Sequence, residues 1–113
     1  MTETIVTDDF MREMRGKTKA YTLVLISRGP GWDTADRDPI IWEHGRRNHA
    51  LRLEKVLAIV GPIPDESPLV GLYIFDRTPG EVDEIMRGDP AVQASVFVFE
   101  VHPLVGFPGD ALP

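Results

Sequence analysis

The stretch DPIIWEHGRRNHALRLEKVLAIVGP, residues 38–62, decides how the rest of the chain is read. Its pattern is a helix running straight into a strand. Asp38 followed by Pro39 is a helix start: an acceptor that can cap free N–H groups, then proline at the first helical position, where its missing N–H costs nothing. At about 100° per residue, Ile40, Ile41, His44, Asn48 and Leu51 share one side, with Trp42, His49 and Leu53 roughly opposite. The first side is apolar at both ends and polar in the middle. A helix serving only to pack would carry aliphatic residues at 44 and 48. Buried polar groups need hydrogen-bond partners or a wet cavity. Two structural readings of His44 therefore stand beside a functional one: a core histidine with satisfied nitrogens, or a rotated helix that turns His44 to solvent.

Upstream, Ala20 to Ser27 (AYTLVLIS) is a strand rich in β-formers, and its nearly continuous apolar run indicates cover on both faces. Arg28-Gly29-Pro30-Gly31 ends it. The loop that follows carries Trp32, Asp33, Asp36 and Arg37, and a charged loop at a strand's end is where ligand contacts often lie. The structural alternative is that Trp32 plugs the end of the domain. Asp8 and Asp9 open a short helix through Phe10, Met11 and Met14, ended by Gly16. It is either an arm that packs on a partner subunit or a frayed terminus.

Downstream, Val56 to Val60 is a second strand. After a proline-rich turn, Leu69 to Asp76 (LVGLYIFD) is a third, and the short connection suits an antiparallel hairpin. Thr78-Pro79-Gly80-Glu81 predicts a helix opened by a capping box, with Val82, Ile85 and Met86 as its buried stripe and Gly88 as a left-handed stop. Asp89-Pro90 reads as a turn, and Ala91 to His102 holds the last strand.

The order β-α-β-β-α-β is the ferredoxin-like plan of the α+β class: a four-stranded antiparallel sheet with both helices on one face. Residues 1–19 form an N-terminal extension or arm, 20–103 the domain and 104–113 a surface tail. The plan leaves one sheet face bare, yet the strands are apolar on both sides. The simplest cover is a second copy, sheet against sheet, in a two-fold homodimer; a packed N-terminal arm is the alternative.

Composition narrows the function classes. A chain of 113 residues supports one modest core, and 42% hydrophobic with 27% charged residues is ordinary for a soluble domain. No cysteine is present, which excludes disulfides, thiolate nucleophiles and Cys-ligated metal. A net charge of −6 argues against nucleic acid as a partner, because phosphate contacts need clustered Lys and Arg. No apolar run approaches the roughly 20 residues of a membrane span, so no membrane partner is expected. The N-terminus MTETIVTDDF lacks a signal-peptide pattern, and the reading is cytoplasmic.

Several of these pieces, taken in order, resemble the YCII-related (YciI-like) family. They are the strand AYTLVLIS, His44 in the first helix, the strand ending Val60-Gly61-Pro62, the third strand, and GDPAV at residues 88–92 leading into VFVFEVHPLVG. The resemblance covers roughly Ala20 to Gly106. It implies the dimeric α+β barrel form of the ferredoxin-like fold and a functional His–Asp dyad, here His44 and Asp89, at the bottom of a pocket between helix and sheet. Some relatives are dehydrochlorinases acting on chlorinated hydroxyaromatics. The sequence departs from the pattern at Asn48, where an apolar residue is expected, and in its long N-terminal extension and Trp32 loop.

A carboxylate that accepts the N–H of one imidazole nitrogen fixes the tautomer and makes the other nitrogen a better base, which suits proton removal or water activation. The structural alternative for Asp89 is backbone capping in a turn. Around this pair, Trp32, Arg28, Arg47 and Asn48 are candidate substrate contacts. Arg46 and Arg47 could hold an anion, with a solvated helix face as the alternative. No metal site is expected: His44 and His49, five residues apart, point about 140° away from each other on a helix, and no metal-ligand spacing exists. The reading is a small cofactor-free homodimeric enzyme in which His44 and Asp89 carry out proton transfer, elimination or hydrolysis on a small polar or aromatic molecule. The alternative is a non-catalytic small-molecule-binding or accessory protein.

Overall fold

The computed structural model describes residues 3–113. In chain order the elements are α1 (Asp8–Arg15), β1 (Lys19–Arg28), α2 (Arg37–Leu53), β2 (Leu57–Pro62), β3 (Leu69–Phe75), α3 (Pro79–Arg87), α4 (Pro90–Gln93) and β4 (Phe97–Gly106). The four strands form one antiparallel sheet in the order β2-β3-β1-β4. With α2 and α3 over one face, this is the ferredoxin-like arrangement.

Strand alternation chooses the covered face. Thr22, Val24 and Ile26 of β1 point under the helices and are fully buried, while Leu23 and Leu25 point the other way and are half-buried. Register carries the same face across the sheet: Val24 pairs with Tyr73 and Val101, and Ile26 with Gly71 and Phe99. Val82 and Met86 of α3 close over this core, with Ile40, Ile41 and Leu51 of α2 packed against it. On the opposite face, Leu23, Leu25, Leu72 and Ile74 are half-buried and Val98 is exposed, so one chain leaves that apolar surface open.

The helix ends differ from the sequence expectation in instructive ways. The start expected at Asp38-Pro39 lies earlier: α2 begins at Arg37 with Asp36 at the N-cap. The loop winds into the helix through Arg37 N–H donating to Thr34 O at 3.2 Å. Pro39 still falls in the first turn, where backbone N–H groups have no partner within the helix. At its other end α2 closes in a Schellman turn. Lys55 N–H donates to Arg52 O and Val56 N–H to Leu51 O, each at 3.0 Å, with Lys55 in the left-handed region at φ 61°. That turn aims the chain into β2, which runs from Leu57 to Pro62 rather than from Val56 to Val60.

Thr78 caps α3 through the expected capping box with Glu81. Gly88, however, is not left-handed: its φ is −83°. A Cβ there would stand 2.8 Å from Arg47 Nη2, the end of a flexible side chain that would have to move aside. Nor is Asp89-Pro90 a simple turn into the last strand. Asp89 caps a one-turn helix, α4, with Pro90 at its start, and β4 begins six residues later than expected, at Phe97. β4 also continues beyond Pro103 to Gly106, which pairs with Lys19. Proline is tolerated because β4 is a sheet edge. Upstream, α1 is capped by Thr7, ends at Gly16 and buries none of its residues.

Candidate functional site

The residues of α2 that are buried, His44 and Asn48, are both polar. The helix lays them over β3, where strand parity points Tyr73 toward them. α4 brings Asp89 to the other edge of the imidazole. The result is a continuous hydrogen-bonded cluster in which His44 is 6% exposed and Asp89 1%.

Asp89 is fixed from two sides. Its Oδ2 accepts from the backbone N–H of Ala91 at 2.9 Å and of Val92 at 3.2 Å, which is the cap of α4. Its Oδ1 stands 2.7 Å from His44 Nδ1. A carboxylate can only accept, so Nδ1 carries a proton, and in the neutral ring Nε2 holds the lone pair. That lone pair meets the Tyr73 hydroxyl at 2.6 Å, so the tyrosine O–H donates to it. Asn48 Nδ2 donates to the same tyrosine oxygen at 3.1 Å and lies 3.2 Å from Nε2. Phe97 meets the imidazole edge-on, centroids 4.9 Å apart, and fixes its plane. Burial pushes the Tyr73 hydroxyl well above the ordinary tyrosine range; the Asn48 donor opposes this, and the Asp89 charge adds to it. Tyr73 is therefore a neutral donor across the physiological range.

The cluster is not sealed. His44, Asn48 and Tyr73 line a cavity of about 490 Å³ between α2 and the β2–β3 side of the sheet. Its walls include Ile41, Val60, Val70 and Phe97, and its lining also includes exposed His49 and Arg52. This volume lies within the range of small-molecule sites. A neighbouring hollow of about 560 Å³ is lined by residues of α2 alone, among them Asp38, Trp42 and Arg46. Among the described residues, no group of three or more His, Cys, Asp or Glu side chains converges as a metal site would require.

The structure thus brings together His44, Asp89 and Asn48 of the sequence candidates. It places the other three elsewhere. The Trp32 ring has the guanidinium groups of Arg28 at 4.8 Å and of Arg37 at 4.5 Å from its centroid, and stacks on Phe97 with centroids 6.0 Å apart. Trp32 therefore packs on Phe97, Arg28 lies against Trp32, and neither lines the cavity. Arg47 lies over Gly88, on the α3–α4 side of the helix. Tyr73 is the member of the hydrogen-bonded cluster that the sequence reading does not single out. The available signal was parity: in LVGLYIF, Gly71, Tyr73 and Phe75 share the buried face, and a hydroxyl there needs a partner.

Fold and site together define a small ferredoxin-like α+β domain with a buried His–Asp–Tyr–Asn cluster opening on one cavity. No protein-family model matches the chain, and no curated protein matches it. Among solved structures it is similar to the 5-chloro-2-hydroxyhydroquinone dehydrochlorinase TftG from Burkholderia phenoliruptrix AC1100, in complex with 2,5-dihydroxybenzoquinone. The TM-score is 0.51 at 18% identity, covering 73% of this chain and 90% of that one. At this identity the likeness shows the fold. Among the described residues no helix is long and apolar enough to cross a membrane.

Proposed function

We propose that the chain is a small cofactor-free enzyme of the YCII-related kind that moves a proton on a small polar or aromatic molecule. The observation that carries this reading is the buried His44–Asp89 pair, 2.7 Å apart, beside a cavity that the imidazole lines. A histidine serving only to pack would not need a capped carboxylate to hold its tautomer at the floor of an open hollow. Asp89 orients the ring and balances the imidazolium that forms when His44 takes a proton. Asn48 belongs to the binding surface. Trp32 and Arg28 act through Phe97 as supports, and Arg47 acts through the α3–α4 turn.

The reaction is an elimination or a hydrolysis begun by proton removal. The structural neighbour is named as a dehydrochlorinase and was solved with a dihydroxybenzoquinone, so chlorinated hydroxyaromatics are the first substrates to try. We further propose that the open sheet face pairs with a second copy, since an apolar surface of that kind is rarely left to solvent.

The test is a thermal-shift screen of wild type and His44→Ala against chlorinated phenols, lactones and small carboxylates, followed by assay of chloride release or ring opening for every ligand that binds. A ligand that binds only the folded state raises the melting temperature by mass action. Stabilisation and turnover of one class by wild type alone support the enzyme. Binding without turnover assigns a carrier or sensor, and an unchanged activity in His44→Ala rejects the dyad.

A further inference from the structure

The Nε2 atom of His44, the atom a general base would present to a substrate, is already occupied. Its lone pair lies 2.6 Å from the Tyr73 oxygen, and Nδ1 is held by Asp89. A neutral imidazole has no third hydrogen-bonding position. A ligand hydroxyl in the cavity therefore cannot reach the histidine without displacing Tyr73, which is 4% exposed and packs beside Phe75.

Two acceptors remain. The Tyr73 oxygen donates to His44, accepts from Asn48 and keeps accepting capacity toward the cavity it lines. Asn48 Oδ1 has no protein partner. Since no fully buried side-chain polar atom among the described residues lacks one, that oxygen is reached by solvent at the cavity.

We propose that Tyr73 is the catalytic residue that exchanges a proton with a bound substrate hydroxyl, and that His44 acts behind it as the proton acceptor. This rests on the acid–base reading of the cavity and assigns the contact atom within it. The step balances without a co-reactant. The substrate O–H breaks and its proton forms a new O–H on Tyr73, while the original Tyr73 O–H breaks and its proton forms N–H at His44 Nε2. The products are a substrate oxyanion, a neutral tyrosine now donating to that oxyanion, and an imidazolium balanced by Asp89. Asn48 Nδ2 donates to the tyrosine oxygen throughout and holds charge that develops there. Asp89 is the carboxylate hydrogen-bonded to the cluster; the other titratable groups on the cavity are His49 and Arg52.

The probe is 4-nitrophenol, which is coloured only as the phenolate. Spectra are recorded with wild type, Tyr73→Phe and His44→Ala near about pH 6, below the probe's own transition. Transfer of the proton gives bound probe in wild type a phenolate-to-phenol ratio roughly tenfold above that of free probe, the excess expected for one pH unit of stabilisation. Tyr73→Phe binds the probe within about threefold of wild type, a difference below 1 kcal/mol, but loses the excess colour, as does His44→Ala.

If Tyr73→Phe keeps the colour and His44→Ala loses it, the dyad reading stands and the tyrosine assignment is overturned. If wild type fails to bind the probe, or binds it uncoloured, the acid–base reading falls and takes this assignment with it. A ligand-free measurement is independent of both: removing the hydroxyl must move the His44 Nε2 nitrogen resonance toward that of a free imidazole lone pair. An unmoved resonance in Tyr73→Phe overturns the relay.

Discussion

Asp89 and His44 are 45 residues apart in sequence and meet at 2.7 Å, while the second oxygen of Asp89 caps the helix that delivers it. One side chain thus does a backbone job and a site job at once. The two can be separated. Asp89→Ala removes both and is expected to cost about 3 kcal/mol, the sum of a lost cap and a lost buried charge-assisted hydrogen bond. Asp89→Asn keeps a capping oxygen and should lose less than half of that in urea unfolding. Its amide N–H₂ faces Nδ1, so the imidazole proton moves to Nε2, which nitrogen-15 spectra of the ring will report. Equal destabilisation by the two variants would contradict this division.

Tyr73 makes stability depend on alkaline pH with a definite sign. Burial raises its ionisation above the unfolded value of 10.0. Past that pH the unfolded chain loses the proton while the folded chain keeps it, so the unfolded state binds fewer protons and stability falls as pH rises. The contribution is fully present below the unfolded value and is lost as pH climbs toward the folded one. Melting curves between about pH 8 and pH 11 should fall less steeply for Tyr73→Phe than for wild type. Parallel curves would show that the hydroxyl is not held neutral by burial.

Asn48 separates binding from stability. Leucine at that position removes one donor to Tyr73 but leaves the Tyr73–His44 and His44–Asp89 bonds intact. Asn48→Leu should therefore unfold within about 1 kcal/mol of wild type, because an apolar side chain of similar size replaces a polar one without orphaning a charge. Ligand stabilisation should drop at least tenfold in apparent affinity, since the cavity loses both its amide groups. Calorimetric titration beside urea unfolding checks both halves, and a variant that binds normally would remove Asn48 from the site.

The fold was legible because each strand and helix carried its own local signal. The capping box at Thr78-Pro79-Gly80-Glu81 and the β-branched run of β1 are determined within a few residues. Asp89-Pro90 carries the same cap-then-proline signal as Thr78-Pro79, yet it was read only as a turn because no amphipathic stripe follows it; one helical turn is too short to have one. Gly88 carries a stop signal in the sequence, yet its backbone is right-handed, so α3 ends there without using glycine's left-handed freedom.

The candidate site is legible in part for similar reasons. His44 and Asn48 stood out as polar residues on a face that should be apolar. Tyr73 is marked only by strand parity, which puts a hydroxyl on the buried face; that its partners come from α2 is not encoded locally. Trp32 was placed near the site by its loop, but its contact is one layer behind Phe97, a distance that no local pattern encodes.

The exposed sheet face carries a prediction about assembly. Light scattering should give a dimer mass for wild type, and Leu25→Lys, which puts a charge in the middle of that face, should give a monomer with near-native melting. A wild-type monomer at high concentration would contradict sheet-to-sheet pairing and turn attention to α1, whose Phe10 and Met11 are also exposed.

Whether the cavity moves a ligand's proton onto His44 is read from the nitrogen-15 spectrum of the His44 ring with and without saturating 4-nitrophenol. Binding is expected to convert a neutral ring protonated at Nδ1 into an imidazolium with both nitrogens protonated. A ring that stays neutral while the probe is bound would contradict it.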